Sequence, residues 1–174
     1  VAFQEAGALG TMCSHNDYNG TPISGSHYLL TTLLRDEWGF KGYVVSDSWS
    51  IGKLWKFYHV VGSNEEAVAQ ELKAGINIRT NFRAPEEFIQ TLRKALQEEL
   101  VTEAELDRRV REVLYVKFWL GLFDEPYVKQ PKQADEVVNC EAHREVALRA
   151  GRESIVLLKN EKGLLPLSKD IKKV

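Results

Sequence analysis

Apolar residues along this chain alternate between two spacings. Leu29, Leu30, Leu33, Leu34 and Trp38 recur at helical spacing and predict a helix from roughly Ser26 to Trp38, stopped at Gly39. Tyr43-Val44-Val45 is instead a continuous apolar run closed by the polar pair Ser46-Asp47, the profile of a covered strand. Before these, Thr11 to Asn16 reads as a short strand after Gly10, and Asn19-Gly20 as a turn. After them the pattern repeats. Asn64 caps a predicted helix with Ala67, Val68 and Leu72 on its core face, ended by Gly75. Ile76 to Asn81 reads as the next strand, and Pro85 suits the first turn of a helix through about Gln97. Thr102 and Glu105 have capping-box spacing, and the helix they open carries Leu106, Val110, Val113 and Leu114, running out near Gly121.

Strands alternating with helices argue for a parallel sheet with helices packed outside it. Three such units precede Asp124, too few to close a barrel of eight or to cover both faces of a parallel sheet. The chain opens on Val1 rather than Met and ends on Ile171-Lys172-Lys173-Val174, which reads as a strand just starting. It therefore reads as an internal piece of a larger fold, the alternative being a small self-contained α/β domain. A polar stretch from Glu125 to Asn139, with Pro126 and Pro131, reads as a linker. A helix from about Glu141 to Glu153 and the apolar run Ser154-Ile155-Val156-Leu157-Leu158 follow.

Composition narrows the function classes. Hydrophobic residues are 44% and charged residues 28% of the chain, the profile of an ordinary globular protein. A net charge of -2 gives no concentrated basic field for nucleic acid. Arg108, Arg109 and Arg111 read as a solvated helix face. Cys13 and Cys140 are far apart, which suits neither a zinc site nor a disulfide framework. No apolar stretch reaches the ~18–20 residues of a membrane span.

Side chains alternate along a strand, so Tyr43, Val45 and Asp47 share one face and Val44 and Ser46 the other. Asp47 falls at the C-terminal end of its strand, the end that faces the active site in a β/α barrel. A carboxylate there can attack an anomeric carbon or act as a base; it can equally cap the segment after it. Ser14, His15 and Asp17 do not make a triad, because neighbours on one strand point apart. His15 ends its strand and reads either as a site residue or as a hydrogen-bonded structural histidine. Arg79, alternating with Ile76 and Ile78, is expected toward the barrel interior or its mouth, with Asp47 as a candidate partner. Trp49, Trp55, Phe57 and Tyr58 crowd the segment after Asp47, where Trp49 can stack on a sugar ring or simply pack.

Met12-Cys13-Ser14-His15-Asn16, Asn19-Gly20-Thr21-Pro22, Leu29-Leu30 and the run Leu34 to Asp47 resemble, in order and spacing, the signature of glycoside hydrolase family 3, roughly M-x-S-Y-N, N-G-x-P, LL and LR-x-E-x-GF-x-G-x-VVSD. Arg108-Arg109-Val110 with Leu120-Gly121-Leu122-Phe123 looks like the family's last barrel helix. Arg152 to Asn160 with Leu165-Pro166-Leu167 looks like the entry to its second domain. The resemblance implies an α/β fold: the C-terminal part of a (β/α)8-type barrel over 1–124, a linker over 125–139, and the start of an α/β sandwich domain over 140–174. It implies a retaining, exo-acting glycosidase releasing β-linked glucose or xylose, with Asp47 as nucleophile and Met12, His15, Trp49 and Arg79 on the substrate. His15 replaces the family's usual Tyr, and Ser48 stands where Trp often follows the nucleophile, so the sugar preference stays open. The Lys-His sugar-binding motif and the general acid/base are expected outside these residues. A glycoside substrate, no metal or cofactor, no nucleic acid or membrane, a homo-oligomer through other domains and a periplasmic or secreted location are further expectations. A non-catalytic carbohydrate-binding or structural member of the family is the alternative.

Overall fold

The structure, a computed structural model, describes residues 1–82 and 84–172. These fall into two compact units, Val1–Pro126 and Tyr127–Val174.

In the first unit, Gly10–Met12 forms β1, and Asp17–Tyr18 (β2) pairs with Thr21–Pro22 (β3) as a small hairpin. Asn19 and Gly20 turn that hairpin with positive φ, as their sequence predicts. A wide helix of π type, Tyr28–Glu37, follows, and Tyr43–Val45 forms β4. Next come α1 (Ser50–Lys56), α2 (Asn64–Ala74), α3 (Pro85–Gln97) and α4 (Glu103–Trp119). β1 lies parallel to β4, Thr11 opposite Val44, and Ile78 bridges Val45 from the far side, also in parallel. The fragment of sheet therefore has the order and direction of adjacent barrel strands.

The strands are shorter than their apolar runs predict, and side chains cause it. After β1, Cys13 N–H still donates to Val45 O at 2.9 Å. Then the Ser14 hydroxyl bonds Asn16 Oδ1 and accepts from Asn16 N–H, bending the chain off the sheet. In the 76–81 segment Asn77 offers its side chain where a ladder partner would stand. Its Oδ1 accepts from Val44 N–H at 2.8 Å, so only Ile78 keeps a strand-like bridge.

Two apolar clusters hold the unit together. Cys13, Leu30, Leu34, Phe40, Val44, Ala74 and Ile76 fill the space between the π-type helix and the sheet. Ile51, Leu54, Ala67, Val68, Leu72, Ala95 and Val101 bind α1, α2 and α3. α1 is not expected from the motif pattern, although Ile51, Leu54 and Trp55 have helical spacing. The cap of α2 is Ser63, one residue before the expected Asn64: its hydroxyl accepts from Glu66 N–H at 3.1 Å. Gly75 ends α2 at φ 126°, where an added Cβ would press on Thr31 and the Leu30 carbonyl. The capping box at Thr102 and Glu105 is present in both directions, at 3.2 and 2.8 Å.

A polar hub sits at the N-terminal end of β4. Glu112 of α4 takes Arg35 on one oxygen at 3.1 Å and Arg109 on the other at 3.0 Å. Asn77 donates to Glu112 at 2.6 Å and to the Arg109 carbonyl at 2.9 Å. Arg35 also reaches the Gly42 and Gly75 carbonyls. Arg109 is buried, not on the solvated face expected for the 108–111 arginines, because Glu112 one turn on draws it inward. The same pairing sets the rotation of α4. Arg109, Glu112 and Val116 face the sheet, whereas Val110 and Leu114, expected in the core, are 47% and 39% exposed. Burial pushes the Arg35 guanidinium down to about 10, against the pull of Glu112.

The second unit contains a short helix, α5 (Gln133–Val137), inside the expected linker, and α6 (Glu141–Glu153) where a helix is expected. No strand forms among its described residues. Ile155 to Leu158 are exposed there, Leu158 at 91%. Of the strand expected at the end, Ile171 and Lys172 are irregular, and Lys173 and Val174 lie outside the described residues.

Removing the anion of the hub leaves two buried guanidinium groups uncompensated. Glu112→Ala should lower the unfolding free energy of the protein by about 3–5 kcal/mol, read from urea denaturation. A change under about 1 kcal/mol would show that the hub contributes no more than a surface pair.

Candidate active site

β4 delivers Asp47. Val44 and Ser46 are fully buried beneath the sheet, which leaves Val45 and Asp47 half-buried on the opposite face. The Ser46 side chain extends the register past the last ladder pair. It accepts from Thr80 N–H at 3.0 Å, while the Thr80 hydroxyl donates to the Ser46 carbonyl at 2.6 Å. Asp47 thus leaves a strand end clamped to its neighbour on both sides.

The Asp47 carboxylate has two defined neighbours. Oδ1 accepts from Ser48 N–H at 2.7 Å, and Oδ2 lies 3.2 Å from His15 Nε2. Both side chains remain about a third exposed, at 32% and 33%, so a solute can reach them. His15 is held from behind by Tyr58, whose hydroxyl donates to the His15 carbonyl at 2.5 Å. The His15 Nδ1 atom is buried without a hydrogen-bond partner among the described residues. The His15 contact is not a relay of neighbouring residues: it brings the chain end after β1 against the chain end after β4.

Below Asp47 lies a buried polar column. Cys13 is buried under the sheet end, and burial pushes its thiol up, while the Asp47 backbone and the Ser50 hydroxyl bond it and pull the other way. The Ser50 hydroxyl donates to Glu71 Oε1 at 3.4 Å. Glu71 is 2% exposed, and its Oε2 has no hydrogen-bond partner among the described residues. Burial holds its carboxyl well above the usual carboxylate range, against the opposing field of Arg79 and the Ser50 bond. Glu71 and Ser50 do not stand out in the sequence pattern, and Tyr58 stands out there only as one of several aromatics. A carboxylate falling three and four residues after Val68 and Ala67, on the apolar face of α2, is the signal that reveals Glu71.

Arg79 reaches from the 76–81 segment toward α3. Its guanidinium lies over the Phe88 ring of α3, 4.9 Å from the centroid, on the helix side of the sheet. Trp49 adopts φ 70°, ψ 0°, a left-handed conformation uncommon for a bulky residue, and is 47% exposed. Trp49 and Arg79 both line a cavity of about 420 Å³ beside the strand ends. Met12 closes β1 opposite Val45 and is 62% exposed. Among the described residues no three His, Cys, Asp or Glu side chains gather as they would around a metal ion, and no helix is long and apolar enough to cross a membrane.

Parallel strands with helices outside, and an open carboxylate where one strand ends, define this unit as part of a TIM-barrel-type α/β fold. The chain belongs to the glycosyl hydrolase family 3 N-terminal domain family, which it matches over residues 1–116. It is 44% identical over 170 residues to a putative β-xylosidase of Formosa agariphila, covering 98% of this chain and 22% of that protein. It is 43% identical over 169 residues to a periplasmic β-glucosidase of Salmonella typhimurium, covering 95% of this chain and 22% of that protein. The structure superposes on a β-glucosidase from Erythrobacter marinus with a TM-score of 0.76 at 36% identity, over 95% of this chain and 22% of that one. The chain therefore spans about a fifth of the length of these relatives, 22% of each.

The buried Glu71 makes a signed prediction. Its folded pKa is raised, so the folded state holds a proton that the unfolded chain releases above about 4.3. Stability attached to Glu71 is complete below that value and is lost as pH rises through the raised folded value. Glu71→Gln should flatten this decline, leaving the variant relatively more stable than the parent at neutral pH than at pH 4. Parallel pH profiles of Tm for parent and variant would show that Glu71 titrates normally.

Proposed function

We propose that this chain is a segment of a longer retaining, exo-acting glycosidase that releases β-linked glucose or xylose from non-reducing ends, and that Asp47 is its nucleophile. The observation that carries the reading is the Asp47 carboxylate, open to solvent at the end of β4 and 3.2 Å from His15. Family membership and the names of the β-xylosidase and β-glucosidase relatives support it.

In the proposed reaction an Asp47 oxygen attacks the anomeric carbon as the bond to the leaving oxygen breaks. A second carboxyl, supplied by a part of the enzyme outside these residues and about 5–5.5 Å away, protonates that oxygen. The glycosyl-aspartate ester is then opened by water, which the same carboxyl deprotonates, so configuration is retained. Ser48 N–H fixes one Asp47 oxygen, which favours a single attacking geometry. His15 holds the other at the sugar's edge, and Met12 and Trp49 lie nearby on the exposed strand ends. Arg79 contributes from the cavity that it lines together with Trp49. No metal or cofactor has a part in this chemistry. A periplasmic or secreted location fits the Salmonella relative, which is named as periplasmic.

Asp47→Ala in the full-length protein should reduce hydrolysis of an aryl β-glycoside by about 10⁴-fold or more. Added azide should occupy the vacated space and, with an activated β-glycoside, give the α-glycosyl azide of a single inversion. Near-normal turnover in the variant would remove Asp47 from the chemistry. His15→Tyr should leave an active enzyme with a shifted preference between aryl β-glucosides and β-xylosides; an unchanged ratio of kcat/KM would make His15 purely structural.

A further inference from the structure

The cavity of about 420 Å³ that Trp49 lines has a composition that hydrolysis of a neutral glycoside does not require. Its wall begins at Trp49, two residues after Asp47, and continues along α1 through Lys53, Trp55 and Lys56 to Arg79 beyond Ile78. Lys53 and Lys56 are one turn apart on α1, and both line the cavity. Of the described lining residues three are cations, and Glu87 is the sole acid. The neighbouring carboxylates of α2 are engaged elsewhere: Glu65 pairs with Lys94 at 2.9 Å, and Glu66 accepts from Gly62 N–H at 2.8 Å. The first residue of α2 is fixed across the cavity floor, Asn64 donating to Thr91 at 3.1 Å. The cations are also held, not merely mobile. Lys56 lies over the Trp55 ring at 5.2 Å and Arg79 over Phe88 at 4.9 Å.

A cavity with two indole walls and a cationic rim suits a ring with an anionic substituent: the ring stacks, and the anion meets the ammonium and guanidinium groups. From this we infer that the cavity binds the leaving-group side of an anionic glycan, a sugar bearing a carboxylate or a sulfate. The inference rests on the proposed glycosidase reading for the position of the scissile bond, and it adds the charge of the substrate. Lys53 and Lys56 set the preference, and the attack by Asp47 is unchanged in kind.

The test uses the full-length protein and β-linked disaccharides that share one non-reducing sugar. Their reducing-end sugar is neutral, a uronic acid, or sulfated. One or both anionic substrates should show a kcat/KM about tenfold above the neutral one, the excess fading with salt. In Lys53→Gln/Lys56→Gln, which keeps the side-chain stems, the anionic-to-neutral ratio should fall toward one. Whether the uronate or the sulfate leads decides the class of anion. A second readout does not depend on turnover: glucuronate or a sulfated glucose should quench the fluorescence of the tryptophans lining the cavity in the parent and not in the double variant. Equal kcat/KM for all three disaccharides, or a preference that survives in the double variant, overturns the inference. Failure of the glycosidase reading looks different: no disaccharide is cleaved, while anion-dependent quenching persists.

Discussion

Glu112 accepts a guanidinium on each carboxylate oxygen, Arg35 at 3.1 Å and Arg109 at 3.0 Å, and Asn77 bonds to the same group. Three chain segments far apart in sequence meet at this point. Arg35 comes from the π-type helix, Asn77 from the segment beside β4, and Arg109 and Glu112 from α4. Asn77 Oδ1 carries the network into the sheet by accepting from Val44 N–H. Charges buried in this way add little net stability against an apolar substitute, but they allow very few alternative arrangements. A slip of β4 by one residue would separate Val44 N–H from Asn77 and the Gly42 carbonyl from Arg35. The hub therefore acts as a register lock, and the register decides which face Asp47 reaches.

The two ends of β4 divide the work. At the N-terminal end Arg35, Asn77, Arg109 and Glu112 pair with one another, while Arg35 Nε and Arg109 Nε and Nη1 stay buried without a partner among the described residues. At the C-terminal end Asp47 and His15 stay a third exposed, with a buried column of Cys13, Ser50 and Glu71 beneath them. This is the division expected of a β/α barrel, whose bottom face is structural and whose top face carries chemistry. The cationic cavity lies at the same top end, because α2 and α3 start there and α1 follows directly from Asp47.

Much of this is legible in the residues. The apolar run of β4, the Asn19-Gly20 turn, the Gly75 stop and the capping box at Thr102 each follow from local chemistry, and each is present. The failures share a cause. Val110 and Leu114 have the right spacing for a core face, but the charged contacts of Arg109 and Glu112 determine which side of α4 turns inward. The 76–81 segment reads as a full strand, yet it keeps a single bridge because the Asn77 side chain is diverted into the hub. Periodicity records apolar faces; it does not record a carboxylate that binds two arginines from different elements. The Asp47–His15 contact is likewise non-local, and only the shared signature of the family hints at it.

The central claim is that the carboxylate at the end of β4 forms a covalent bond to the sugar. A fluorinated glycoside with an activated leaving group, which forms the glycosyl ester quickly and loses it slowly, reports on that bond directly. Full-length protein inactivated with such a reagent, digested and mapped by mass spectrometry, should carry one added fluorosugar on the peptide containing Asp47, and fragmentation should place it on that residue. A label on any other carboxylate, or time-dependent inactivation with no covalent adduct, would contradict the account.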